Sequence, residues 1–122
     1  MESARALLVF GTFLLAIAAL LGFVQERHRD SRDAFARWRV VHAGGTAGGV
    51  QLVALSAMWP RLSGGGTWTA VLAWGLIFTA WAFFIGPIAR AMGRHRLASI
   101  VNRAGAVVAV PAYLALPAIL LR

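Results

Sequence analysis

Residues 37–60 read RWRVVHAGGTAGGVQLVALSAMWP. From Trp38 to Trp59 the stretch is apolar enough to be a membrane-spanning helix. It nevertheless carries His42 about one turn in, with Gly44, Gly45, Gly48 and Gly49 directly behind. An imidazole is costly in lipid, and glycine weakens a helix. Three further apolar segments lie around it, over residues 6–24, 68–89 and 104–121, and the last reaches full length if it begins near residue 98. Spanning the hydrocarbon core takes about 20 residues. The expectation is an all-α integral membrane protein of four helices, with spans over 6–24, 38–59, 68–89 and 98–121, forming one bundle domain over residues 1–122.

Composition agrees. Of 122 residues, 60% are hydrophobic, and the mean hydropathy is +0.73. That belongs to the membrane class. Cysteine is absent, which excludes disulfides, thiolate metal sites, a lipoprotein anchor and thioether-linked haem. The first segment resembles a signal peptide, but Phe23 and Val24 stand where a cleavage site needs small residues. It is read as a retained helix.

The net charge of +8 comes from 12 basic residues, all arginine, against Glu2, Glu26, Asp30 and Asp33. The arginines cluster at the ends of apolar segments, where they set topology and meet lipid head groups. No basic face with aromatic stacking partners lies free of the spans, so nucleic acid is not expected as a partner. The first and third connections, QERHRDSRDAFAR and RAMGRHRLASIVNR, hold Arg27, Arg29, Arg32, Arg37, Arg90, Arg94, Arg96 and Arg103. Arg5, Arg61 and Arg122 fall on the other side, around the Gly-rich second connection, PRLSGGGT. The arginine bias therefore places the first and third connections in the cytoplasm and both termini outside.

Soluble catalytic motifs are missing: no HExxH, no phosphate-binding Gly loop, no Ser-His-Asp set in a plausible context. His42 lies within an expected span, whereas His28 and His95 fall in arginine-rich connections, where solvated surface is the simple reading. With a rise of 1.5 Å per residue, His42 sits about 7 Å below Arg37. A lone imidazole is too little for zinc, which needs three or four ligands. Haem is different, because the porphyrin supplies the other four ligands. Gly45, Thr46 and Gly49 share the helical face of His42 and would let a flat macrocycle approach the backbone. The same glycines form small-xxx-small patterns that bring helices together in lipid. Cofactor and packing readings stand level at this point.

The pattern of Trp38, His42, Gly44, Gly49 and Pro60, with its W-x-x-x-H-x-G spacing, resembles the styrene oxide isomerase family. So does VVAVPAYLALP in the last segment, with Pro111, Ala112, Tyr113 and Leu114. Trp81 falls in register with a family tryptophan. The resemblance covers the last three segments and implies a small bacterial enzyme, multi-pass in the inner (cytoplasmic) membrane, that turns aryl epoxides into aldehydes. It implies haem b, held without covalent attachment between neighbouring subunits of a homotrimer, with His42 as the axial ligand to the iron. Trp38, Gly45 and Gly49 would then border the cofactor. The partners implied are a small apolar epoxide, the lipid bilayer and further copies of the chain. The family's substrate-facing asparagine and tyrosine fall, by gapless counting, on Gly48 and Pro87 here. Tyr113 and Thr46 are the side chains expected to take catalytic roles in their place. Gln51, Thr79 and Ser56 are the other polar groups within spans, with helix–helix hydrogen bonding as the plain reading.

Two other functions stay open beside the isomerase: a membrane haem protein for electron transfer or gas sensing, and a haem-free scaffold or carrier. The family's basic tail also implies cytoplasmic termini, the reverse of the arginine bias. Cysteine labelling separates the two topologies. A cysteine at Ser63 should react with an impermeant reagent in intact cells and one at Ser31 should not; the opposite pattern would mean that the family topology holds.

Overall fold

The computed structural model describes residues 2–62 and 66–120, and the side chains up to residue 118. Met1, Ser63, Gly64, Gly65, Leu121 and Arg122 lie outside the described residues. So do the labelling site at Ser63 and the last residue of the expected fourth span.

Four helices follow in order: α1 (Glu2–Arg27), α2 (Arg32–Leu62), α3 (Thr67–Ala91) and α4 (His95–Leu120). All four are long and apolar enough to cross a membrane, so the chain is an all-helical, multi-pass membrane protein. Each contains an expected apolar segment and runs past it. The charged connections shrink accordingly. The first was read as a loop of 13 residues with a surface helix as an option, yet residues 28–31 alone separate α1 from α2. With 31 residues, α2 is about 46 Å long, well beyond the ~30 Å hydrocarbon core. Its arginine-rich start therefore stays helical in the head-group layer.

Local chemistry sets these ends. Ser31 accepts the first bond of α2 from the Phe35 N–H at 2.8 Å, and serine is a favoured N-cap. The third connection narrows to Met92–Arg94. There Gly93 adopts φ +79°, the Gly93 N–H donates to the Arg90 carbonyl and the Arg94 N–H to the Ala89 carbonyl. This is a Schellman stop, which requires a left-handed residue and hence favours glycine. Pro60, expected in the second connection, lies within the last turns of α2. Its missing N–H leaves the Ser56 carbonyl without its usual helix partner, a loss the final turns tolerate.

The α3 helix is the hub. It buries 44% of its apolar window, against 22% for each of the others. It packs on α1, α2 and α4, whereas the substantial contacts of α4 are with α3 alone. Two clusters form the core. One joins Leu7, Leu52, Trp59, Leu76 and Ile77 toward the second connection. The other joins Leu14, Ala18, Val41 and Phe84 toward the first and third connections. Phe10 stands edge-on to Trp74 and Trp81, with ring centroids 5.5 and 6.5 Å away.

The α1–α2 seam is the closest. A Cβ at Gly45 would lie 2.5 Å from the Phe84 ring and 2.8 Å from the Ala18 side chain. One at Gly49 would lie 2.6 Å from Leu15 and 3.0 Å from the Gly11 carbonyl. Of the two readings for these glycines, helix packing is the one that these contacts describe. Gly49→Leu should separate α1 from α2 and lower stability by about 1–3 kcal/mol, the usual range for overpacking. Gly44→Ala, whose Cβ would meet nothing nearer than the Phe83 carbonyl at 4.0 Å, should be nearly neutral. Thermal unfolding in detergent, followed by helix content, measures both; equal stability of the two variants would show that the seam is not tight.

Candidate functional site: the His42 groove

His42 lies on α2 at the edge of the buried stripe formed by Val41, Gly45, Gly49 and Leu52. From there its ring reaches across to α1. Nδ1 stands 2.7 Å from the Ala18 carbonyl oxygen. A carbonyl can only accept, so Nδ1 carries the hydrogen, and in the neutral ring Nε2 keeps its lone pair. Nε2 has no hydrogen-bond partner among the described residues, and the ring is half-buried. Gly22 makes room for this pose: a Cβ there would lie 3.2 Å from both Nδ1 and Cε1 of His42. An imidazole with its tautomer fixed by a backbone carbonyl and its other nitrogen uncommitted is the arrangement of a metal-ligating histidine. Among the described residues no group of three His, Asp or Glu side chains converges, so His42 has no protein co-ligand set around it.

Trp38 precedes His42 by one turn. It is half-buried and packs on the cluster that includes Ala18, whose carbonyl holds His42. Its ring stacks on His28, with centroids 6.1 Å apart and planes at 27°. His28 is therefore not simple solvated surface. It is half-buried, and its Nδ1 donates to the Val24 carbonyl at 2.8 Å, closing the end of α1. His95 is exposed.

The other site residues separate. Thr46, one turn beyond His42, donates its hydroxyl hydrogen to the His42 carbonyl at 2.8 Å. That leaves lone pairs but no free hydrogen to offer a substrate. Gly45 and Gly49 are occupied by α1 and Phe84, as described above. Tyr113 is 38% exposed on α4. It lies 18 residues into α4 and His42 lies 10 residues into α2. Both helices start at the arginine-rich first and third connections, so the two stand at about 27 and 15 Å along their axes. A single chain does not bring them together. Gln51 is exposed, and Ser56 donates to the Val53 carbonyl of its own helix at 2.6 Å. Thr79 is 1% exposed, and its hydroxyl has no partner among the described residues. The helix–helix bond expected for it is not formed.

Sequence reasoning passed over three groups. The Ala18 carbonyl leaves no side-chain signal. Gly22 could have been found as a small residue within the first apolar segment. Asn102 was read as part of a loop, but α4 starts seven residues earlier. Its Oδ1 is buried with no partner.

Since the pose of His42 rests on Gly22, Gly22→Val should push the ring off the Ala18 carbonyl. The bond lost is worth about 0.5–1.5 kcal/mol. ¹⁵N spectra of the histidine-labelled chain should show the His42 signals changing from a single Nδ1–H tautomer to a mixture, with His95 unchanged. An unaltered His42 spectrum would show that something else holds the ring.

No curated protein and no solved structure matches the chain. A family model described as styrene oxide isomerase does match, over residues 3–122 and so nearly the whole chain. Its span includes α1 and the first connection, where the residue pattern alone showed little beyond hydropathy. On that match the chain, with its four spanning helices and a histidine held in the α1–α2 groove, belongs to the styrene oxide isomerase family.

Proposed function

We propose that the protein binds haem b non-covalently through His42 and rearranges a small apolar epoxide to a carbonyl compound, as a homotrimer in the bacterial inner membrane. The observation that carries this reading is the His42 ring, fixed through Nδ1–H on the Ala18 carbonyl with Nε2 uncommitted. The donor set fits a haem, since a single neutral imidazole is what one axial position requires. When bound, haem supplies a ferric Lewis acid for the epoxide oxygen.

The chain's own residues do the rest. Ala18 and Gly22 set the ring's direction, and Trp38 shields the turn before it. The apolar side chains around the groove exclude water, which protects an opened epoxide from hydrolysis. The groove is half a site, because α1 and α2 wall it on one side alone. A second copy covering it would supply the other half. An exposed Gln51 in mid-span also favours a neighbour, as lipid leaves its amide unsatisfied. In such an assembly Tyr113 would come from another copy.

Gly48 and Pro87 offer no side-chain donor, and the Thr46 hydrogen is already committed. Losing one aimed donor commonly costs about 10²- to 10³-fold in rate, so styrene oxide should turn over slowly and a bulkier epoxide relatively better. The missing donors also favour the second reading, a membrane haem protein for electron transfer or gas sensing.

The test is spectroscopic first. Detergent-purified protein should show a Soret band that His42→Ala loses and His28→Ala and His95→Ala keep. Ferric protein should then convert members of an epoxide panel, faster after Gly48→Asn and more slowly after Tyr113→Phe. A Soret band without epoxide conversion, unrescued by Gly48→Asn, would replace the isomerase with the second reading. Absence of any band would leave a haem-free scaffold or carrier.

A further inference from the structure

A second polar recess lies away from the His42 groove. It is a cleft of about 170 Å³ lined by Arg37 and Val40 of α2, Pro87, Arg90 and Ala91 of α3, and Asn102 of α4. On α2, Arg37 and Val40 project well away from His42, so the cleft and the groove open on different sides of the chain. Three helices converge here at the end that carries the arginine-rich connections.

Charge in the cleft is unbalanced. Arg37 and Arg90 are both exposed, and neither forms an ion pair among the described residues, where the one found joins Arg29 to Glu26. The four acids of the chain are Glu2, Glu26, Asp30 and Asp33, so α3 and α4 carry none. Asp33 stands one turn before Arg37 but does not pair with it. Inside the cleft wall, Asn102 packs against Gly86, where a Cβ would collide with the amide. Its Oδ1 is buried without a hydrogen-bond partner and is turned to Gly86 rather than to the cleft.

We propose that this cleft binds a phosphate-bearing ligand, its anion held between Arg37 and Arg90. Guanidinium groups suit phosphate because their paired N–H donors match two phosphate oxygens. The volume is below the ~300 Å³ at which pockets for whole drug-sized molecules begin, so a head group fits and acyl chains stay outside. The same chemistry occurs in a phosphatidylglycerol head group and in soluble glycerol phosphate. Its test needs no haem, because Arg37 projects from a different face of α2 than His42.

The experiment uses the full chain in neutral phosphatidylcholine nanodiscs, with phosphatidylglycerol, phosphatidylmethanol and glycerol 3-phosphate as probes. Arg37→Gln with Arg90→Gln should weaken phosphatidylglycerol binding about tenfold. Arg94→Gln with Arg96→Gln, exposed arginines outside the cleft, should change it little. Phosphatidylmethanol, which keeps the phosphate and lacks the glycerol hydroxyls, should bind with the same dependence on Arg37 and Arg90. Binding of glycerol 3-phosphate with the same dependence on Arg37 and Arg90 would identify a soluble phosphate as the ligand instead. If the two arginine pairs lower the binding of both ligands equally, the attraction is diffuse surface charge and the site is overturned. All four arginine positions are exposed, so these variants leave the core intact.

Discussion

The close approach of α1 to α2 is the constraint on which the rest depends. In lipid there is no hydrophobic drive to press helices together, so association relies on packing and hydrogen bonds at short range. Gly11, Gly45 and Gly49 supply that range. Gly11 and Gly49 are matched, each leaving a space that a Cβ would fill against the other's carbonyl at 3.0 Å. Only with the helices this near can the imidazole of one reach a main-chain carbonyl of the other. The glycines therefore act on the site at one remove. They bring Ala18 within reach of His42.

The remaining architecture divides the labour. Because α3 touches every other helix, it carries most of the core and leaves α1, α2 and α4 with broad exposed faces. Leu20 and Phe23 on α1, and Val107 and Leu114 on α4, are exposed apolar residues. Lipid satisfies these without further explanation. Polar groups on such faces are another matter, and the chain has few. The His42 groove opens beside α1, and the Arg37–Arg90 cleft opens where α4 leans on α3. Separate faces thus carry separate chemistry, which α4 packing substantially on α3 alone permits and a closed four-helix bundle would hinder.

Much of this was legible in the sequence, and the misses share a cause. Apolar runs marked the four helices because lipid demands length and hydropathy, both of which are local. His42 stood out for the same reason: an ionisable group in an apolar run is conspicuous. The helix ends were misjudged because arginine was taken as a sign of a loop, while helices that outgrow the membrane keep their arginines helical. Asn102 was lost through that error. Gly45 and Gly49 could not be assigned from spacing, since cofactor approach and helix approach both ask for small residues. The Ala18 carbonyl was illegible in principle. Every residue carries a carbonyl, and which one meets an imidazole 24 positions away depends on how the helices pack.

That carbonyl bears on which chemistry the groove suits. A histidine ligand whose Nδ1–H is given to a carboxylate gains basicity and donates more electron density to its metal. All four carboxylates of this chain lie in or next to the connections and at the N-terminus, and His42 instead faces a neutral acceptor. Part of the reason is cost, because an ionised carboxylate is expensive at this depth. The consequence is a ligand whose Nδ1–H is held by a neutral acceptor. On the proposed reading, such a ligand leaves a ferric centre electron-poor, which favours accepting an oxygen lone pair from an epoxide. A site built to push electrons toward bound oxygen would gain from the opposite choice. The partner of Nδ1 thus weighs for Lewis-acid rearrangement and against oxygen chemistry in this groove, independently of the donors that Gly48 and Pro87 lack.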